Sequence, residues 1–229
     1  MDVLDAMRTT GSCRAFLTDP VPDEVLTRCF DAARFAPSGG NRQGWKVVAV
    51  RDATIRGRIR NLHVARWAEY TDGIARGIVP FNTYPQPKDA PPPAHRPMDP
   101  AWLAKVNAFA QQIDTIPVHL LVFVDLRTLA VADHRLDRQS IVGGGSIYPF
   151  VHNLLLAMRN EGLGSSLTTL LCASEGEVKE LVGAPEPFAL AALVLVGWPA
   201  APLPTKLRRR TVESFATVDR FDGPALSMG

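Results

Sequence analysis

Three groups of residues in this chain have the types and spacing for chemistry. The richest is Ala36-Pro37-Ser38-Gly39-Gly40-Asn41-Arg42-Gln43-Gly44-Trp45, which runs into the apolar stretch Lys46-Val47-Val48-Ala49-Val50. Pro37 fixes one backbone torsion, and Gly39 and Gly40 permit positive φ. Ser38, Asn41 and Gln43 then place donors and acceptors within a few residues of one another. A polar loop anchored by a strand suits a planar ligand edged with carbonyl and ring-nitrogen groups. On composition alone, the same residues also make an ordinary helix-to-strand turn. Near the N-terminus, Ser12 and Arg14 supply a hydroxyl and a guanidinium. Near the C-terminus, Arg208-Arg209-Arg210 offers rigid donor forks that match phosphate geometry, although an arginine run by itself reads equally as a solvated face. Together the three groups are the parts needed to hold one phosphorylated, flat, polar-edged cofactor.

Other chemistries find no support. Gly143-Gly144-Gly145 is followed by Ser146-Ile147-Tyr148, so no GxGxxG turn forms, and no lysine sits in a phosphate-loop setting. GxSxG, HExxH and CxxC are all absent. The five histidines (His63, His95, His119, His134, His152) are scattered and read as surface or satisfied residues. His134 can pair with Asp133 or Asp137, but an exposed charged turn explains them as well. The three cysteines lie far apart, which argues against a disulfide framework or a thiolate metal site. A net charge of +2 without a basic arm argues against nucleic acid as a partner. No run approaches the ~18 apolar residues of a membrane span, and the N-terminus is acidic without an apolar signal core. A cytoplasmic protein is the expectation.

These groups must be positioned by a layered architecture. The spacing predicts helices over residues 2–9, 23–33, 53–75, 147–158 and 174–181, with strands over 46–50, 118–124 and 189–196. Residues 164–171 read as an extended Ser/Thr-rich stretch. Gly162 is placed as the residue closing the fourth helix, and Ser174 with Glu177 has capping-box spacing. Helices before and between strands indicate an α/β or α+β layering within one domain spanning residues 1–229. Residues 80–100 carry eight prolines and form neither helix nor central strand. They read as an excursion or a lid, with a stiffened surface linker as the alternative. Trp67, Phe81, Trp102 and Phe109 flank that segment and roof a site or pack a lid onto the body. Residues 199–229 form a C-terminal extension.

With these motifs on the page, the chain resembles the FMN-dependent nitroreductase superfamily over most of its length. The resemblance is carried by Ser12-Cys13-Arg14-Ala15-Phe16 with Pro20-Val21-Pro22, the loop at 36–45, and Asn153-Leu154-Leu155-Leu156-Ala157-Met158. It continues through Gly162-Leu163-Gly164 and Val196-Gly197-Trp198-Pro199 to the arginines and Glu213. It implies an α+β fold with a central mixed or antiparallel sheet flanked by helices, in an intertwined homodimer whose two clefts each hold one FMN. By position, Ser12 and Arg14 would meet the phosphate–ribityl end and the pyrimidine edge. Ser38, Asn41 and Gln43 would meet the ribityl chain or ring, and Arg208 and Arg209 the phosphate. Leu167, Thr168 and Thr169 would lie along the isoalloxazine and offer a backbone N–H to N5. Two positions depart from the family pattern. Thr10 and Gly11 stand where basic residues often precede the serine, a loss that Arg8 or the third arginine offsets. Gly44-Trp45 replaces a frequent Pro-Trp pair, which should loosen the loop.

The implied activity is oxidoreduction with no side-chain nucleophile, because the flavin carries the chemistry. NAD(P)H would deliver hydride to N5, and a nitroaromatic, quinone or similar flat acceptor would then take it in a ping-pong cycle. Arg14 would tune the flavin by favouring negative charge on its pyrimidine edge. The alternatives are another reaction on the same fold (dehydrogenation, dehalogenation or flavin destruction) and a flavin-binding protein without turnover.

Overall fold

The computed structural model describes residues 1–83 and 99–227. Its centre is a sheet of β1 (Trp45–Val50), β2 (Val118–Asp125), β3 (Gly164–Thr168) and β4 (Phe188–Gly197), in the order β1-β2-β4-β3. Every neighbouring pair is antiparallel. β2 and β4 are central, and consecutive residues along both are buried, as a strand covered on two faces requires. β1 and β3 form opposite edges.

Alternation along β2 sorts the core into two layers. Val118, Leu120, Val122 and Val124 join Leu26, Cys29 and Ala33 of helix α2 (Asp23–Ala33), with Leu154 and Met158 of helix α5 (Tyr148–Asn160). Leu121 and Phe123 face the other way, towards Ile59 of helix α3 (Ala53–Ala75) and Val178 of helix α6 (Glu175–Val182). Helix α1 (Val3–Thr9) stops where Gly11 follows, and residues 12–16 run extended as the sequence indicates. Helix α4 (Pro100–Gln111) was not anticipated from the pattern. Pro100 opens its first turn, and the Asp99 carboxylate accepts from Ala101 N at 3.0 Å.

Two ends repay closer attention. Gly162 (φ 77°) closes α5 as expected: Leu163 N donates to Met158 O at 2.9 Å and Gly162 N to Arg159 O at 3.2 Å. This turn feeds the chain directly into β3. The extended reading of residues 164–171 is too long, because Thr168 Oγ1 accepts from Leu170 N at 3.3 Å and the chain coils into a 3-10 turn over Leu170–Ser174. The capping box is also corrected. Ser174 precedes α6, but its side chain makes no cap bond and instead accepts from Arg66 Nε on α3 at 3.1 Å.

Most of the proline-rich excursion, residues 84–98, lies outside the described residues; its entrance is held by Thr83 Oγ1 donating to Gln139 Oε1 at 2.8 Å. The loop before β1 is tighter than the Gly44-for-Pro departure implied. Gly44 O accepts from Asp125 N at 2.8 Å, and a Cβ built on Gly44 would fall 2.0 Å from Thr128 Oγ1. Gly44→Ala should therefore cost about 1–3 kcal/mol by overpacking. Urea denaturation should show the lowered midpoint, and adding Thr128→Ala should recover part of it.

Candidate active site

A cavity of about 440 Å³ opens between β3, α3 and α4. Arg14 stands in its first wall, on a segment whose Cys13 meets the free edge of β3 and whose residues 15–17 pair with residues 198–200 beyond β4. Cys13 N donates to Ser165 O at 2.8 Å, and Leu17 N to Trp198 O at 2.8 Å. The Cys13 side chain is buried against Gly164, where an added Cβ would lie 2.6 Å from its sulfur. Burial pushes the Cys13 thiol up, so this sulfur is packing, not a nucleophile. The docking carries Arg14 into the lining of the cavity.

The same contact orients the strand. Ser165 turns its carbonyl outward to Cys13, and backbone groups alternate along an antiparallel strand. Leu167, two residues on, therefore directs its N–H and C=O to the open edge. Leu167, Thr168 and Thr169 all line the cavity.

The opposite walls are aromatic. His63, Trp67 and Tyr70 stand at i, i+4 and i+7 on one face of α3. The Trp67 and Tyr70 rings are 5.4 Å apart and inclined by 25°, and His63 lies 6.5 Å from Trp67. Trp67 Nε1 donates to Asn107 Oδ1 at 2.6 Å, tying α3 to α4, which contributes Trp102 and Phe109 to the lining. Of the flanking aromatics, Phe81 alone does not line this cavity; it is exposed.

His63 is the site residue that sequence reading missed. It is only 4% exposed, its Nδ1 has no hydrogen-bond partner, and burial lowers its pKa to about 4. Its spacing to Trp67 and Tyr70 was the available signal. His119, buried in β2 and likewise pushed down to about 4 by burial, donates from Nε2 to Ile113 O, 2.8 Å away.

The second polar group is held elsewhere. Ser38 Oγ accepts from Gln43 N at 3.0 Å, and Gln43 Nε2 donates to Asn41 Oδ1 at 3.1 Å. Gly40, Asn41 and Gln43 all have positive φ (61°, 52° and 49°), a strained arrangement for the two non-glycine residues. Gly39 N donates to Ser146 Oγ at 3.0 Å. Behind Ser146, Asp133 pins the connecting loop by accepting from Ile141 N and Ser140 Oγ, bonds that hold its carboxyl below the usual range. This polar loop precedes β1, so the whole sheet, about 14 Å at ordinary strand spacing, separates it from β3. Ser38, Asn41 and Gln43 are thus not gathered with Arg14 and Leu167 in one chain.

The third group approaches the first. Leu207 packs where a Gly11 Cβ would be, 3.1 Å from its Cδ2, and Arg159 Nη2 donates to Pro204 O at 3.0 Å. The glycine that replaces a basic residue therefore admits the tail, and Arg208 and Arg209 follow directly beyond Leu207. Both are exposed; Arg209 Nη1 donates to Arg208 O at 2.8 Å. Ser12 and Arg8 are also exposed.

The profile of the Nitroreductase family matches residues 7–198. The chain belongs to that family. Iodotyrosine deiodinase 1 of Rattus norvegicus is 27% identical over 213 residues, covering 88% of this chain and 64% of the deiodinase. The chain thus spans a little under two thirds of that relative. A nitrobenzene nitroreductase of Ectopseudomonas oleovorans is 22% identical over 232 residues, covering 93% of this chain and 95% of that protein. Among solved structures, a nitroreductase with bound FMN from Desulfitobacterium hafniense superposes with a TM-score of 0.62 at 19% identity, over 91% of this chain and 95% of that one. That likeness confirms the nitroreductase fold. Among the described residues, no helix is long and apolar enough to cross a membrane.

The two buried histidines set a pH dependence. Their folded pKa of about 4 lies below the ordinary 6.5, so the unfolded chain takes up protons first as pH falls. Stability is complete above pH 6.5 and is lost between about 6.5 and 4, by roughly 3 kcal/mol for each histidine. Denaturant midpoints measured at pH 7, 6 and 5 should fall in that order; a flat profile would show that the rings are solvated.

Proposed function

We propose that this nitroreductase-family protein is an FMN-dependent oxidoreductase that uses NAD(P)H to reduce flat acceptors such as nitroaromatics and quinones. The observation that carries this reading is the meeting of Arg14, the outer edge of β3 at Leu167 and an aromatic slot in one cavity. These groups fit a flavin: a cation for its electron-rich edge, a directional donor at an open strand edge, and flat apolar walls. When bound, FMN supplies the two-electron chemistry.

The chain's own residues do the rest. The Arg14 guanidinium stabilises negative charge placed beside it, more strongly because the surrounding walls are apolar. The Leu167 N–H fixes the orientation of a planar acceptor of its hydrogen bond. Trp67, Tyr70 and Trp102 exclude water and stack on a flat substrate. Arg208 and Arg209 grip the phosphate where the tail passes Gly11.

Ser38, Asn41 and Gln43 complete a site only if a second copy supplies them, so we take the functional unit to be a homodimer. Their place on the far edge of the sheet supports this, as do Phe35 and Ile141, exposed by 73% and 74% on neighbouring segments. A second reading is reductive dehalogenation of an aromatic, favoured by the deiodinase similarity. Halide release from 3-iodo-L-tyrosine, set against NAD(P)H oxidation with menadione or nitrofurazone, separates the two.

Purified protein should be yellow and bleach anaerobically with NADH or NADPH; a colourless dimer that takes up no FMN would overturn the proposal. Replacing Arg208 and Arg209 together by Ala should weaken FMN retention at least about tenfold, since charge-assisted hydrogen bonds contribute about 1.5–3 kcal/mol each. Arg14→Gln should make the two-electron potential more negative by about 30 mV, the equivalent of about 1.4 kcal/mol. An unchanged potential in FMN-loaded protein would remove Arg14 from that role.

A further inference from the structure

Four buried side-chain nitrogens lack a hydrogen-bond partner among the described residues: Arg56 Nε, Arg60 Nε, His63 Nδ1 and His119 Nδ1. Three of them have an outlet elsewhere on the same side chain. Arg56 Nη1 donates to Ile116 O at 2.5 Å, Arg60 reaches towards Asp114, and His119 Nε2 contacts Ile113 O. His63 has none. It is also the one of the four that lines the cavity.

Nδ1 is sealed from the cavity, so Nε2, on the one side chain of the four that lines it, is the ring nitrogen an incoming acceptor can reach. The surroundings say what kind. His63 continues the face of α3 that presents Trp67 and Tyr70, whose rings stack. Across the slot stand Trp102 and Phe109. Leu195, the register partner of His119, also lines it. A ligand sliding between these walls must be flat and largely apolar, and the α3 side offers it an imidazole beside the Tyr70 hydroxyl.

We propose that His63 is a specificity-determining residue: its imidazole donates a hydrogen bond to a ring oxygen, carbonyl or nitro, of an aromatic ligand stacked along Trp67 and Tyr70. The ring is neutral across physiological pH, because burial disfavours its charged form. It therefore selects by a hydrogen bond rather than by charge, and an anionic substituent gains no ion pair. His119, bonded through Nε2 and away from the cavity lining, has only a structural part. The inference rests on reading this cavity as the acceptor slot, but not on the flavin itself.

The test uses a matched pair of probes, menadione and 2-methylnaphthalene, which share a fused ring system and differ in the two oxo groups. Isothermal titration of the protein as purified, with FMN content measured separately, gives both dissociation constants. In His63→Phe, menadione binding should weaken about three- to tenfold, the worth of one neutral hydrogen bond, while 2-methylnaphthalene binding is unchanged. His63→Gln, which keeps a donor, should restore menadione binding to within about twofold. Equal losses for both probes, or no loss for menadione, overturn the proposal. Should the variants fail to fold, the imidazole nitrogens of His63 in the ¹⁵N-histidine-labelled native protein provide the readout. Their shifts should move with menadione and stay still with 2-methylnaphthalene; identical responses refute the hydrogen bond. Protein that neither carries nor takes up FMN but keeps the menadione preference would count against the flavin assignment and leave His63 in place.

Discussion

The docking of Cys13 onto the free edge of β3 is the constraint on which the site depends. One backbone hydrogen bond, Cys13 N to Ser165 O, sets the phase of the outer strand. Because backbone groups alternate, that phase leaves the Leu167 N–H facing outward. The contact closes only because residue 164 is glycine, since any side chain there would collide with Cys13. The same segment carries Arg14 to the cavity, and Gly11 just before it admits Leu207 and the arginine tail behind it. Two small residues thus let three distant stretches of chain meet.

The sheet imposes the complementary constraint. In the order β1-β2-β4-β3, the strand entered from the polar loop and the strand that lines the cavity are the two edges. No rotamer or loop motion brings Ser38 to Arg14 across two fully packed central strands. The strain in the polar loop, with Asn41 and Gln43 at positive φ, is maintained by its own side chains and by Ser146, not by the cavity. A strained, polar, exposed loop remote from the site within its own chain is most simply explained by a use in another copy, which is the basis of the dimer proposal.

The cavity also divides its labour by polarity. Its strand side offers a backbone donor and a guanidinium. Its helix side offers stacked rings, with Trp67 braced by Asn107 so that α3 and α4 hold a fixed separation. Charged chemistry is confined to one wall, and flat apolar recognition to the other. Such an arrangement strengthens electrostatic effects where they are needed, since water is displaced from the opposite side.

Much of this was readable before the structure. Helix α3 over residues 53–75, the glycine that closes α5, and the apolar strands follow from periodicity and turn chemistry, which are local. The polar loop, Arg14 and the paired arginines could be named as candidates from their residue types, and Leu167–Thr169 only through the family resemblance. Helix α4 was not, since a proline-rich approach masks its start and its aromatic face is short. The Ser174 cap was misread because Arg66, 108 positions away in sequence, competes for the hydroxyl. His63 looked like an ordinary scattered histidine until α3 packed beside α4. Sequence by itself determined which groups exist and which local turns they favour. Tertiary structure decided which of them share a cavity, because convergence depends on sheet order and edge docking between residues far apart in the chain.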